Sequence, residues 1–452
     1  MKIVTSYTVP IKSQQYIERS KSGKVTDSWR LVDDRIMKVT ADICLSALKL
    51  CVDIYLAEWD YLSKLPTSQK EGVLSRKRAG DLLIHSTSDS KAKYPGFDKQ
   101  FPYMPAYTRR AIVADALGIV SSYISNHKNW ETLSPSERGN EPVLGLPSRY
   151  ELTFYKQERD LDKIDQGIIS LKLYDGKTWD WHSFKISKAD AKYISRMQKS
   201  RTMLSPVVEK VRGRYQIQFS FKENKELVSD SNPLSYRILA VDLGINAPAS
   251  WSVMEADGTV HAKSVIHLRC DEDRLRHLMN RKRMYQQAGK KSHCIYRMLT
   301  DANQLLSINT TRKIMEIAVL YNVDCIVFEH LDRTGHVKGK SYRERIHLWR
   351  VNDVQKRVDL QAHRHGMRIS RVCSWGTSRL AFDGSGPVIR DKKNYSVCTF
   401  QTGKRYNCDL SASLNIGARY YLREYAKQKD CIELPKTPQR TYAMLIPLRK
   451  SA

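Results

Sequence analysis

The spacing of apolar and polar positions changes period several times along this chain. Residues 2–12 alternate with period two (Ile3, Thr5, Tyr7, Val9), which predicts a strand. Residues 31–65 carry Ile36, Val39, Ile43, Ala47, Leu50 and Ile54 at helical spacing. A Ser- and Lys-rich break and three prolines, Pro95, Pro102 and Pro105, lead to a second helical stretch at 108–126. Residues 129–147 have little periodicity and read as a linker. Strand signals return at 149–155, 167–173, 178–186 and 213–221, predicting a small β-rich module whose aromatic and basic residues suit either RNA or a core.

The C-terminal half alternates buried strands with helices. Ile238-Leu239-Ala240-Val241-Asp242 is a near-continuous apolar strand, followed by strands at 249–255 and 260–268 around an Asp257-Gly258 turn. A basic helical region spans 271–321. Then come a buried strand at 324–328 ending on Glu329, a strand at 367–372, an irregular Gly-rich stretch, and a helix opening near Asp409 with Leu410, Leu414, Ala418 and Leu422 in phase. The fold class expected is multidomain, α/β in the second half and α+β in the first.

At 452 residues with 41% apolar composition, the chain is long enough for two to four globular domains. It contains no run of about 20 apolar residues. Residues 1–6 lack a hydrophobic segment with a small-residue cleavage site, so no membrane partner and a cytoplasmic location are expected. Lys and Arg exceed Asp and Glu by 76 − 48 = 28. So large an excess repels itself unless it meets a polyanion, which points to nucleic acid. The nine cysteines are odd in number and contain no C-x-x-C pair, which argues for free thiols and against both a disulfide framework and a zinc site.

Three acids stand at the ends of apolar runs: Asp242, Glu329 and Asp409. Singly, a strand-end Asp before Gly forms turns and an Asp at a helix start serves as an N-cap. They are separated by 329 − 242 = 87 and 409 − 329 = 80 residues, so only the fold can gather them. Carboxylates so gathered repel and hold protons unless a hard divalent cation lies between them. Two such ions about 3.5–4 Å apart can activate water and stabilise the leaving oxygen of a phosphodiester.

In order and local context these segments resemble a known family. Ile238-Leu239-Ala240-Val241-Asp242-Leu243-Gly244-Ile245-Asn246 is similar to the first RuvC motif of TnpB transposon nucleases and type V CRISPR effectors. Cys325-Ile326-Val327-Phe328-Glu329-His330-Leu331 resembles the second, and Asn407-Cys408-Asp409-Leu410-Ser411-Ala412-Ser413-Leu414-Asn415-Ile416 the third. The resemblance implies an RNase H-like (RuvC) nuclease domain at 233–372 and 409–452, in which Asp242, Glu329 and Asp409 are catalytic and bind Mg2+ or Mn2+. It implies a wedge-like β module at 1–30 and 145–232, a helical recognition domain at 31–144, and a target-nucleic-acid-binding lobe at 373–408. Guide RNA and target DNA are the implied partners, base pairing supplying sequence choice while the protein grips backbones.

Candidate nucleic-acid contacts are Arg281, Lys282, Arg283, Lys290 and Lys291 after the first motif, Arg343 and Arg345 after the second, and Arg405 just ahead of the third. Trp349 and His347 read as packing residues. The family's lobe carries two Cys-x-x-Cys pairs, but here Thr377-Ser378 is followed by Ala381 and Gly384, and Cys398 is followed by Gln401. One remaining ligand cannot hold zinc, so the lobe is expected to fold without it. The function expected is RNA-guided DNA cleavage. A nuclease-dead RNA-guided binding protein and a guide-independent resolvase or transposase are the alternatives, and the oligomeric state stays open.

Overall fold

A computed structural model describes residues 1–19, 25–67, 72–154, 163–244, 247–330, 351–391, 394–428 and 439–449. The chain divides into two compact units, Lys2–Glu223 and Asn224–Ala452, the second also holding Met1. No helix among the described residues is long and apolar enough to cross a membrane.

In the first unit, β1 (Lys2–Pro10), β9 (Arg214–Asn224), β8 (Val207–Val211) and β4 (Leu152–Thr153) form one sheet in that order, with β7 (Thr202–Met203) added to β9. A second sheet runs β3 (Val25–Arg30), β2 (Ser13–Arg19), β6 (Trp179–Lys185), β5 (Ile168–Tyr174). Asp33 starts the helix Asp34–Ala57 by accepting bonds from the Arg35 and Ile36 amides. Val9, Leu171, Phe184, Phe219 and Phe221 from the strands join Cys44, Leu48, Val52, Ile112 and Val120 from the helices in one core. Asp81 and Arg109 form a buried ion pair at 2.7 Å between the helices Arg76–Ile84 and Ala106–Thr132. The alternation in β9 turns Tyr215, Phe219 and Phe221 inward, so of the two readings of that aromatic face, it is core.

Two expectations are shortened or extended here. The strand foreseen at 149–155 keeps only Leu152–Thr153 within the described residues, and the second long helix continues past residue 126 to Thr132. A helix at Lys188–Ser200, capped by Ser187, was not foreseen. Its only buried residues are Ala191 and Ile194, too few to write an apolar stripe.

The second unit is built on one five-stranded sheet. Its order is β12 (Val260–Ile266), β11 (Ala249–Met254), β10 (Ile238–Asp242), β13 (Cys325–His330), β14 (Arg368–Cys373). The first three strands are antiparallel neighbours, and β10, β13 and β14 run parallel. This arrangement is the mixed α/β architecture expected for the second half of the chain. Strand alternation sorts the side chains cleanly. Leu239, Val241, Ile326 and Phe328 face Ile314, Met315, Val354 and Val358 of the helices His293–Leu320 and Val351–Arg364. Ile238, Ala240, Cys325 and Val327 face Leu414, Ile416, Ala418 and Tyr421 of the helix Cys408–Gln428. The irregular stretch before that helix contains a small sheet, β15 (Ile389–Arg390), β16 (Val397–Thr399) and β17 (Arg405–Asn407).

Candidate active site

Register and parity bring the three acids together. The parallel β10–β13 ladder ends with Val241 beside Phe328, and one step further along the two strands stand Asp242 and Glu329. Asp242 shares the parity of Ile238 and Ala240, and Glu329 that of Cys325 and Val327, so both lie on the face covered by the helix Cys408–Gln428. Asp409 is in the first turn of that same helix. The helix approaches closely because Gly417 has no side chain: a Cβ there would meet Met254 Sδ at 2.5 Å and Ala240 Cβ at 3.3 Å. At the exit of β10, a Cβ on Gly244 would meet the Ala247 carbonyl at 2.8 Å, so this turn also needs glycine.

Asp409 is not the helix cap. Asn407 Oδ1 accepts from the Asp409 amide at 2.9 Å and the Leu410 amide at 3.0 Å, which leaves the Asp409 carboxylate to other work. Glu329 is held by the hydroxyl of buried Thr377, which donates to its Oε1. Thr377 is fixed in turn. Asn415 donates to the carbonyls of Thr377 and Leu380, both at 2.9 Å, and Arg419 donates to those of Cys373 at 2.7 Å and Trp375 at 3.0 Å. Asn415 and Arg419 are both buried and lie four residues apart on one helix face.

Burial raises the pKa of all three carboxyls. For Asp242 the burial effect is joined by repulsion from Glu329 and then Asp409, with the charge of Arg390 opposing. For Glu329 burial is opposed by the Thr377 bond and by the charge of Arg419. For Asp409 burial is opposed by Arg390. Oxygen donors that destabilise one another's charge suit a hard divalent cation, so this donor set fits Mg2+ or Mn2+. Among the described residues, no three His, Cys, Asp or Glu side chains close on a point as a preformed cation cage.

The chain is similar in fold to Cas12f1. The structure of that protein, in complex with sgRNA and target DNA, aligns with a TM-score of 0.50 at 13% identity, covering 91% of this chain and 99% of the other. CasPhi-2 (Cas12j) bound to crRNA and phosphorothioate-DNA aligns at a TM-score of 0.45 and 10% identity, over 97% of this chain and 92% of that one. Residues 25–175 match the Aq_aa04 family. No curated protein matches the chain.

The other expected site residues are placed unevenly. Arg281 and Lys282 are half-buried on the helix Arg269–Gln287, Lys282 lying 5.6 Å from the Tyr296 ring, and Arg283 is exposed. Lys290 and Lys291 are exposed in the connection to the next helix. Arg343, Arg345, His347 and Trp349 lie outside the described residues. Arg405 pairs with Asp391 at 3.4 Å. The cation whose charge reaches Asp242 and Asp409 is instead Arg390, exposed at the end of β15, and sequence reasoning missed it. Its only signal was an Arg after the apolar pair Val388-Ile389 in a stretch read as irregular.

Proposed function

We propose that this chain is an RNA-guided DNA endonuclease of the TnpB and compact type V kind, with Asp242, Glu329 and Asp409 as its catalytic carboxylates. The observation that supports the reading is the shared face: parallel register and strand parity set Asp242 beside Glu329, under the helix whose first turn holds Asp409. The order of the three motifs, the net charge of +28 and the fold likeness to Cas12f1 support it.

The three carboxylates would hold Mg2+ or Mn2+, which would supply an activated water and charge stabilisation at the leaving oxygen. Thr377 fixes one oxygen of Glu329 and so orients the carboxylate. Arg390 sets a positive charge against the carboxylates, where an incoming phosphate needs a counter-charge. Lys290 and Lys291 offer exposed cations to nucleic-acid backbones. The wedge-like, recognition and target-binding roles of residues 1–30 with 145–232, 31–144 and 373–408 belong to the same proposal. So does a zinc-free lobe: Ala381, Cys398, Phe400 and Cys408 form a closed apolar core beside Phe382, Val388 and Tyr406.

The test is Asp242→Asn in the full chain with its co-purified RNA. Cutting of DNA complementary to that RNA disappears, while RNA and DNA affinities stay within about twofold of wild type. Undiminished cutting by the variant would refute the assignment. A wild-type protein that binds but never cuts with Mg2+ or Mn2+ supplied would favour the nuclease-dead alternative.

A further inference from the structure

The segment between β14 and the small sheet carries an aromatic side chain whose backbone is unusually well held. Trp375 is 63% exposed. Yet the carbonyls of residues 373, 375 and 377 are all bonded by the buried side chains of Arg419 and Asn415. The Thr377 amide also donates to the Ser374 carbonyl at 3.4 Å, and Gly376 takes a φ of 80° that closes the turn. A rigid main chain therefore presents a free indole face.

Its surroundings select the occupant. Two residues along, Thr377 grips Glu329. Three residues along, the Ser378 carbonyl accepts from Arg390 Nη2 at 3.3 Å, and the charge of Arg390 reaches Asp242 and Asp409. An aromatic face and a guanidinium thus flank one short segment beside the three carboxylates. An aromatic ring and a cation are the two groups a nucleotide of single-stranded nucleic acid engages, its base on the ring and its phosphate on the cation. Bases in a duplex have both faces covered by neighbours, so only an unpaired base can take such a platform.

We propose that Trp375 is a stacking platform for a nucleobase of single-stranded nucleic acid passing the carboxylates, with Arg390 on the adjoining phosphate. The inference rests on the nuclease reading for the presence of a strand there, but it concerns binding and not bond cleavage. Since the platform stands on held backbone, it limits the sugar and phosphate beside it to few positions, and so acts as a positioning residue.

The probe is single-stranded DNA carrying 5-iodouracil at successive positions, mixed with the full Asp242→Asn chain as purified. Long-wavelength irradiation joins iodouracil preferentially to a stacked aromatic ring, and mass spectrometry of the digest locates the adduct. We expect an adduct on the peptide containing Trp375. Binding is then measured for an intact strand and for one with an abasic site at the crosslinking position. The abasic site weakens binding by about 5- to 100-fold when Trp375 is present, and Trp375→Leu weakens the intact strand equally but adds nothing to the abasic one. Trp375→Phe retains most of the affinity. Adducts confined to other residues, or an abasic penalty that persists unchanged in Trp375→Leu, overturn the proposal. An adduct at Trp375 in a chain whose wild type does not cut sinks the nuclease reading alone.

Discussion

At the residue scale, the division of labour around Asp409 decides between two meanings of an acid at a helix start. Asn407 caps the helix, so Asp409 is spared that role and its charge acts on Asp242. Burial of the three carboxyls, joined at Asp242 by repulsion from the other two, has a measurable sign. All three carboxyls titrate above their unfolded values. The folded chain therefore binds more protons than the unfolded chain once pH exceeds the ordinary carboxylate range. Stability falls as pH climbs through the window from that range, about pH 4, up to the raised values. In EDTA at pH 7.5, Asp242→Asn should melt higher than wild type, each pKa unit of relief being worth about 1.4 kcal/mol. The difference should shrink as pH falls towards 4, and Mg2+ should stabilise wild type more than the variant. Calorimetry showing a variant no more stable than wild type at pH 7.5 would count against the mutual repulsion. The acids were legible in the chain because each ends an apolar run in a motif of known order. Arg390 was not, because nothing local distinguishes a cation that tertiary folding carries to the site from one in water.

At the scale of elements, the helix Cys408–Gln428 does two jobs. One face covers the sheet through Leu414, Ile416 and Ala418, while Asn415 and Arg419 grip the segment 373–380 that carries Thr377. Asn415 also accepts from the Tyr442 amide at 3.1 Å. Asn415→Ala strands two carbonyls and one amide, at a cost of about 1–3 kcal/mol in stability. It should also lower the cutting rate at saturating DNA while leaving RNA affinity unchanged. A variant destabilised to that degree with a wild-type rate would show that the grip does not orient Glu329. Many of the long strands and helices were readable from their periods, but the helices Lys188–Ser200 and Val351–Arg364 and the strands Ser13–Arg19 and Val25–Arg30 were not. The strands β15–β17 were not, because pieces of two or three residues are too short for alternation to register. The reading of 271–321 as one helical region missed the break between Gln287 and His293, where Gly289 takes a φ of 66°.

At the scale of the molecule, the excess of 28 positive charges sets how binding responds to salt. Each cation on a phosphate steepens the fall of log K with log salt by about 0.9 for duplex and about 0.7 for single strands. Replacing both Lys290 and Lys291 with Gln should flatten the slope by about 1.4–1.8 if both meet backbone. An unchanged slope across a salt titration would place these lysines in solvent. The composition made the polyanion legible, but it could not say which cations touch it, since charge surplus is a sum and contact is a position.

The parity of β10 and β13 bears on how such a chain can change length. The acids stand at the ends of two neighbouring strands and in the first turn of one helix, and the intervals between them are tied to the site only where they pair with the sheet, pack on it or carry Thr377 and Arg390. Residues can be added in an exposed connection such as the one between Gln287 and His293 without moving an oxygen of the site. A single residue added within Cys325–His330 does the opposite, rotating Glu329 through the sheet to the Ile326 and Phe328 side. Length variation should accordingly be permitted in such exposed connections and forbidden within a few residues of each acid.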